Sequence, residues 1–206
     1  MSASRGADVV SFSGGTTEDC MTSAQLAEAH SLINELAARR ITVTAASGDI
    51  GVADLSCTAN SVVRVAKRGV GYPASDPLVL AVGGTTLVAN AKTGAYIGET
   101  AWDQPGNASG GGFSSAFARP SYQDGVRGTG AHRGLPDVAA DAGRSGLALI
   151  AGYEMEAFEG TSAGTPFWAG LAALADQYAG RTLALSTLPF TASPGAPITM
   201  PLFTTS

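Results

Sequence analysis

Ser162 lies where a predicted loop enters a predicted helix. It follows Gly160 and Thr161 and precedes a run of small and apolar residues long enough for about three helical turns, with Pro166 tolerated in the first turn. The N-terminus of a helix carries free backbone N–H groups and the positive end of the helix dipole. A hydroxyl in that place suits a nucleophile whose attack creates an oxyanion. The alternative is that Ser162 only caps a core helix.

The elements that would position Ser162 predict an α/β fold with a mainly parallel central sheet covered on both faces. A helix with a capping box follows Thr22, and the helix after Ser162 should stop at Gly180. A hairpin should turn near Asn90, and Leu147 to Ile150 should form a buried strand. Further strands are expected at Asp8–Gly15, where the strand ends in a glycine turn, and at Ile41–Ala46, Pro77–Gly84 and Met155–Phe158.

Composition limits the class of protein. The chain has 206 residues, is 45% hydrophobic, and can bury the core of one domain. Its net charge of −5 argues against nucleic acid as a partner. No window is apolar enough to cross a membrane, and the first residues lack the apolar core of a secretory signal. Cys20 and Cys57 could form a disulfide or remain two buried thiols.

Two mechanisms in which a histidine would activate Ser162 are excluded, because the chain lacks a histidine in the position that each requires. Gly160 to Gly164 matches G-x-S-x-G, but that nucleophile elbow needs an acid and then a histidine after the serine. Both histidines, His30 and His132, lie upstream of Ser162. A Ser-His-Asp arrangement also fails, because His30 falls in the first helix and His132 in a loop. Both are expected to be surface histidines, which leaves carboxylates as the groups that could assist Ser162.

Seven segments between Asp8 and Gly180 together resemble the sedolisins, or serine-carboxyl peptidases, which have a subtilisin-like fold. They occur in the order found in that family, and that shared order makes the resemblance specific. The segments are Ser47–Gly51, Tyr72–Pro77, Ala81–Leu87, Glu99–Trp102, Ser109–Ser114, Pro136–Val138 and Gly160–Ser162. The resemblance implies a subtilisin-like three-layer domain that this chain contains from residue 1 to 180, truncated on its N-terminal side. Residues 181–206 would be an irregular tail rich in Thr, Pro and Ser.

The resemblance implies roles for individual residues. Ser162 would be the nucleophile, and Asp49 would help to form the oxyanion hole. A carboxyl group donates a hydrogen bond only when protonated, which acidic solution or burial favours. The alternative for Asp49 is a turn aspartate that bonds its own backbone. Peptide substrate would lie between two backbone segments, with contacts from Ser11, Gly14, Ser109, Gly110 and Gly111.

Two parts of the family pattern are missing from these residues. The general base of sedolisins is a glutamate in a Glu-x-x-x-Asp pattern that precedes the Asp8 strand. Glu99 and Asp103 have the same spacing but already match a different segment. The family's calcium site should follow the serine helix, yet Arg181 to Ser206 contains no Asp or Glu. Calcium is thus expected from the family without ligands in this chain, and residues 1–206 alone should be nearly inactive.

The predicted function is that of a serine-carboxyl endopeptidase acting on peptides or proteins at acidic pH. The resemblance also implies a secreted protein made with a propeptide, with neither nucleic acid nor membrane as a partner. The alternative is a non-catalytic, peptide-binding or inactive module that keeps the subtilisin-like scaffold. Labelling by a serine-directed reagent separates the two hypotheses, because only the first needs an activated Ser162.

Overall fold

The computed structural model describes residues 6–58, 61–144 and 146–184. Two α-helices, α1 (Ser23–Ala38) and α2 (Thr161–Ala179), accompany fifteen short strands within these ranges. The strands are β1 (Val9–Phe12), β2 (Thr16–Thr17), β3 (Thr42–Ala46), β4 (Ala53–Thr58), β5 (Ser61–Arg68), β6 (Gly71–Tyr72), β7 (Leu80–Ala89), β8 (Tyr96–Ala101), β9 (Asp103–Gln104), β10 (Asn107–Ala108), β11 (Gly112–Ala118), β12 (His132–Leu135), β13 (Val138–Asp141), β14 (Leu147–Ala151) and β15 (Glu154–Phe158).

A mainly parallel sheet forms the centre of the molecule. Its strands run in the order β1-β3-β7-β13, and all three pairings are parallel. The antiparallel strand β8 pairs with β7 through the hairpin expected near Asn90. The inner strands read as near-continuous apolar runs because both faces of the sheet are covered. The predicted parallel α/β sheet is confirmed.

The two helices cover opposite faces of this sheet. On one face, Ile33 of α1 packs with Val43, Ala45 and Ala81 in one buried cluster. On the other face, Trp168 of α2 packs with buried residues of β7 and β13, including Leu80, Val82, Val138 and Ala140. The layers are therefore helix, sheet and helix, as the subtilisin-like interpretation requires.

The ends of the helices follow from their local sequence. Thr22 caps α1 by accepting a hydrogen bond from the Gln25 backbone, and the Gln25 side chain accepts one from the Thr22 backbone. This is the predicted capping box. Helix α2 ends at Gly180, which has the left-handed conformation that favours glycine. Both predicted boundaries are confirmed.

One prediction about burial was wrong. Leu147–Ala151 forms a strand, but it pairs only within the β14–β15 hairpin, and the side chain of Ile150 is 74% exposed. Among the aromatic side chains, Phe113 is 54% exposed, whereas Trp102 is buried. A short apolar run has the same sequence pattern in an exposed hairpin as in a buried strand. The tertiary position of the hairpin therefore decides its exposure.

A disulfide and a hydrogen-bonded pair of side chains lie outside the sheet. Cys20 and Cys57 form a disulfide, which decides between the two alternatives left open by the sequence. His30 of α1 is partly covered, and its Nδ1 lies 2.8 Å from the buried carboxylate of Asp76. The side chain of His30 is still 37% exposed, and His132 is exposed, so both histidines reach the surface as expected.

The carboxyl group of Asp176 is buried near the end of α2. Its Oδ1 accepts a hydrogen bond of 2.8 Å from the Leu183 backbone, and no described residue donates to its Oδ2. Burial raises the pKa of Asp176, the Leu183 bond opposes this shift, and the charge of Asp8 adds to it. Because the folded state holds this proton more tightly than the unfolded chain, this group makes folding less favourable as pH rises through the folded-state pKa.

Asp176→Asn should therefore change the pH dependence of stability. The amide keeps an oxygen for the Leu183 N–H but cannot ionise. We expect the melting temperature of the variant, relative to the wild type, to rise by a few degrees between acidic and neutral pH. Thermal denaturation at several pH values measures this change, with exposed Asp103→Asn as the control. Parallel pH curves for wild type and Asp176→Asn would contradict the prediction.

Residues 185–206, which make up most of the predicted tail, lie outside the described residues. The boundary expected at residue 180 thus stays a prediction.

Within the described ranges, no helix is long and apolar enough to cross a membrane.

Candidate active site

Ser162 is the second residue of α2 and is partly exposed. Its hydroxyl donates a hydrogen bond of 3.0 Å to the carbonyl oxygen of Ser13, in the chain between β1 and β2. The hydroxyl of Ser13 donates in return to the carbonyl oxygen of Ser162, at 2.9 Å. This reciprocal pair joins the helix N-terminus to the segment that the sequence predicts as a substrate edge.

Pro166 explains why the Ser162 carbonyl accepts this bond. A helical carbonyl normally accepts from the N–H four residues later, and proline has no N–H. Pro166 stands four residues after Ser162, in the second helical turn rather than the predicted first turn. The hydroxyl of Ser13 supplies the missing donor. Proline at this position therefore couples the helix to the Ser13 segment.

Asp49 is held against the same helix N-terminus. Its Oδ1 accepts hydrogen bonds from the backbone N–H of Thr161 at 2.8 Å and from the Thr161 hydroxyl at 2.7 Å. The Thr161 side chain is fully buried and also contacts the backbone of Gly48. Asp49 is therefore fixed by a tertiary contact 112 residues away, not merely by its own turn.

Gly160 makes this contact sterically feasible. Its φ of +96° lies in the region that favours glycine, and a Cβ at this position would lie 2.9 Å from Oδ2 of Asp49. A larger residue would strain the backbone and displace the Asp49 carboxyl group. The backbone conformation and the nearby carboxyl group together explain why a glycine precedes Thr161 and Ser162.

A pocket of about 150 Å³ lies beside Ser162 and Asp49. Gly14 of the predicted substrate edge lines it, as do Tyr72 and Asp54. Burial raises the pKa of Tyr72, and the neighbouring charge of Asp76 adds to this effect. Sequence reasoning missed Asp54, because it lies on the β4–β5 hairpin, outside the segments that resemble the sedolisins. No local pattern in the chain indicates that this carboxylate reaches the pocket.

The remaining predicted substrate residues lie in different surroundings. Ser11 is an exposed residue of the sheet-edge strand β1. The backbone of Gly110 is already bonded, since its N–H donates to Gly48 and its carbonyl accepts from the Ser47 hydroxyl. The Ser109 hydroxyl accepts from the backbone of Gly84.

Gly111 lines two neighbouring pockets rather than the one beside Ser162. The structure therefore joins Ser162, Asp49 and Gly14 in one pocket, and Gly110 is bonded to Ser47 and Gly48, which also line it. The roles of all seven predicted site residues stay predictions.

The described residues include no metal centre, and the Glu99 and Asp103 pair lies outside the pocket beside Ser162. Glu99 lies on β8, where it bonds the hydroxyl of Thr85, and neither Glu99 nor Asp103 lines the Ser162 pocket. In the part of the chain that the structure describes, no group of three or more His, Cys, Asp or Glu side chains could hold a metal ion.

Comparison with known proteins decides the family. The model of the Subtilase family matches residues 1–188. This chain belongs to that family. Within it, kumamolisin from Bacillus sp. (strain MN-32) is 37% identical over 183 residues, which cover 84% of this chain and 32% of kumamolisin. Sedolisin from Pseudomonas sp. (strain 101) is 40% identical over 142 residues, which cover 66% of this chain and 24% of sedolisin.

A solved structure supports the same relationship. Pseudomonas sedolisin, a serine-carboxyl proteinase complexed with two molecules of pseudo-iodotyrostatin, has a TM-score of 0.75 and 31% identity to this chain. The match covers 90% of this chain and 52% of the sedolisin chain. The predicted subtilisin-like fold and membership of the serine-carboxyl peptidases are confirmed. The chain spans about a third or less of the length of these curated relatives.

Proposed function

We propose that the natural protein carrying this sequence is a serine-carboxyl endopeptidase that hydrolyses peptide bonds at acidic pH. The observation that carries the proposal is the joint placement of Ser162, Asp49 and Thr161 at one helix N-terminus beside a pocket. Ser162 is partly exposed there, so a peptide carbonyl can reach its hydroxyl. The membership of a peptidase family supports the same function.

In the proposed reaction, Ser162 Oγ attacks the carbonyl carbon of the scissile peptide bond. Negative charge then develops on the carbonyl oxygen. The first N–H groups of a helix have no intrahelical acceptors and lie at the positive end of its dipole, so they can stabilise this oxygen. The protonated carboxyl group of Asp49 would add a further donor. Thr161 holds Asp49 in place through Oδ1, which leaves Oδ2 to carry that proton.

The acidic optimum follows from the chemistry of carboxyl groups. A carboxyl group donates a hydrogen bond only while it carries a proton, and acidic solution supplies that state. A carboxylate base keeps its function at a pH at which histidine would already be protonated. The proposed base is a Glu/Asp pair outside residues 1–206. Calcium, a propeptide and export from the cell belong to the same proposal.

One observation favours a second candidate, a non-catalytic peptide-binding module. The Ser162 hydroxyl donates a hydrogen bond to the Ser13 carbonyl oxygen, and a carbonyl oxygen is not a general base. Without an added base, the pocket could hold a peptide but would not activate Ser162. This candidate predicts peptide binding without turnover.

Asp49→Ala in the natural protein tests the proposed reaction. Loss of an oxyanion-hole donor should lower kcat for a fluorogenic peptide at acidic pH by about 100-fold to 1,000-fold. Residues 1–206 alone should show negligible turnover in the same assay. Asp103→Asn, an exposed change outside the pocket, serves as the control. Peptide binding without hydrolysis by the unaltered natural protein would favour the non-catalytic candidate.

A further inference from the structure

Glu18 is a buried carboxylate that the proposed chemistry does not use. Only 6% of the residue is exposed. Its Oε1 accepts a hydrogen bond of 2.6 Å from the Ser114 hydroxyl. Its Oε2 accepts two bonds of 2.8 Å, from the Ser115 backbone N–H and from the Ser115 hydroxyl. Three donors from two successive residues of β11 therefore converge on this one side chain.

The contact continues into the backbone of β11. Besides donating to Glu18, the hydroxyl of Ser114 accepts hydrogen bonds from the N–H groups of Ala116 and Phe117, at 3.1 and 2.8 Å. Its hydrogen is therefore committed to the carboxylate. Buried networks in which every member has a partner are rigid, and removal of one member leaves the others unpaired. Glu18 thus holds the start of β11 in one conformation.

Glu18 is itself anchored close to the Ser162 pocket. It directly follows β2, which pairs with β6, and its backbone N–H donates to the carbonyl of Val70 at 3.1 Å. Both residues of β6, Gly71 and Tyr72, line the pocket beside Ser162. The chain that leaves the Ser13–Gly15 segment therefore reaches Glu18 within a few residues.

Glu18 also lines a pocket together with residues of the second segment. Glu18, Gly111 and Gly112 line a common pocket of about 370 Å³. Gly111 precedes β11 directly, so the residues tied to Glu18 continue the second predicted substrate edge, Ser109 to Gly112. One side chain thus connects the segment after the first edge to the segment after the second.

We infer that Glu18 is a positioning residue that fixes the spacing of the two backbone edges between which an extended peptide would bind. The inference rests on the proposed peptide-binding function. Glu18 touches neither Ser162 nor Asp49 in the described hydrogen bonds, so it acts on substrate binding rather than on bond cleavage. Both of its oxygens act as acceptors in the described hydrogen bonds, which suits this task because every group that faces them is a donor.

Glu18→Gln tests this role with little change in volume. The amide has one oxygen and one NH₂ group. In either orientation, the NH₂ group must therefore face a donor of Ser114 or Ser115. We expect KM for an extended peptide at acidic pH to rise about tenfold in the natural protein, because a buried hydrogen bond is lost and two donors then face each other, while kcat changes less than about twofold. Glu28→Gln, the same change on the exposed face of α1, should leave both constants unaltered.

A double-mutant cycle separates direct positioning from general destabilisation. Ser115→Ala removes one of the three donors, and its effect on KM should not add to that of Glu18→Gln. The melting temperature and the fraction of inhibitor-titratable sites are measured for each variant. A purely structural role predicts that activity falls equally on extended and on short peptides, because fewer molecules are active. That result would overturn the inference.

An unchanged KM in Glu18→Gln, with normal hydrolysis by the wild type, would overturn the inference and leave the proposed function intact. If the wild type hydrolyses no peptide, the same variants are compared by calorimetric binding of that peptide. Weaker binding by Glu18→Gln but not by Glu28→Gln then supports the positioning role within the non-catalytic candidate. A wild type that neither hydrolyses nor binds peptide overturns both proposals.

Discussion

Replacing Ser162 with alanine should abolish peptide hydrolysis by the natural protein at acidic pH. Loss of a nucleophilic serine removes the covalent step, and losses of kcat in such enzymes reach about a million-fold. Alanine also deletes the hydrogen bond to the Ser13 carbonyl, but the bond from Ser13 to the backbone of residue 162 can persist. The fold should therefore survive the substitution. The measurement is the rate of product release from a fluorogenic peptide, with the melting temperature as a check on folding.

Ser31→Ala is the matched control for this experiment. Ser31 is an exposed serine of α1, so its substitution should leave the rate unaltered. A Ser162→Ala protein that hydrolyses peptide at the wild-type rate would contradict the assigned nucleophile. It would also return Ser162 to its alternative role as a residue at the start of a core helix.

The second large effect is expected on stability, from substitution of Arg133. This side chain is fully buried, and its guanidinium group pairs through both terminal nitrogens with the carboxylate of Asp137. Asp137 also accepts a bond of 2.8 Å from the backbone of Ala81 in β7, while Arg133 lies over the ring of Tyr122. The pair thus ties the turn between β12 and β13 to the central sheet.

Arg133→Met should lower the free energy of unfolding by about 3–5 kcal/mol, because it leaves the carboxylate of Asp137 buried without its cation. Chemical denaturation measures this loss. The control is Arg119→Met, which removes an exposed ion pair with Asp124 and should cost about 1 kcal/mol or less. Similar losses of unfolding free energy in the two variants would show that the buried pair stabilises the fold no more than the exposed pair does.

Much of the scaffold was determined by local sequence. The capping box at Thr22, the stop at Gly180 and the β-branched or apolar runs of the central strands each depend on neighbouring residues. Such preferences act over a few residues and can be recognised in one chain. The Gly160-Thr161-Ser162 segment could be assigned to a helix N-terminus for the same reason.

The other features of the site depend on contacts between residues that are far apart in the sequence, so only the tertiary structure decided them. The bond from Thr161 to Asp49 spans 112 positions, and the link from Ser114 to Glu18 spans 96. The presence of Asp54 in the pocket and the exposure of Ile150 likewise depend on how whole segments pack. Local propensity contains no information about these neighbours. The sequence by itself therefore determined the elements and the candidate nucleophile, whereas tertiary packing decided which carboxylates surround it.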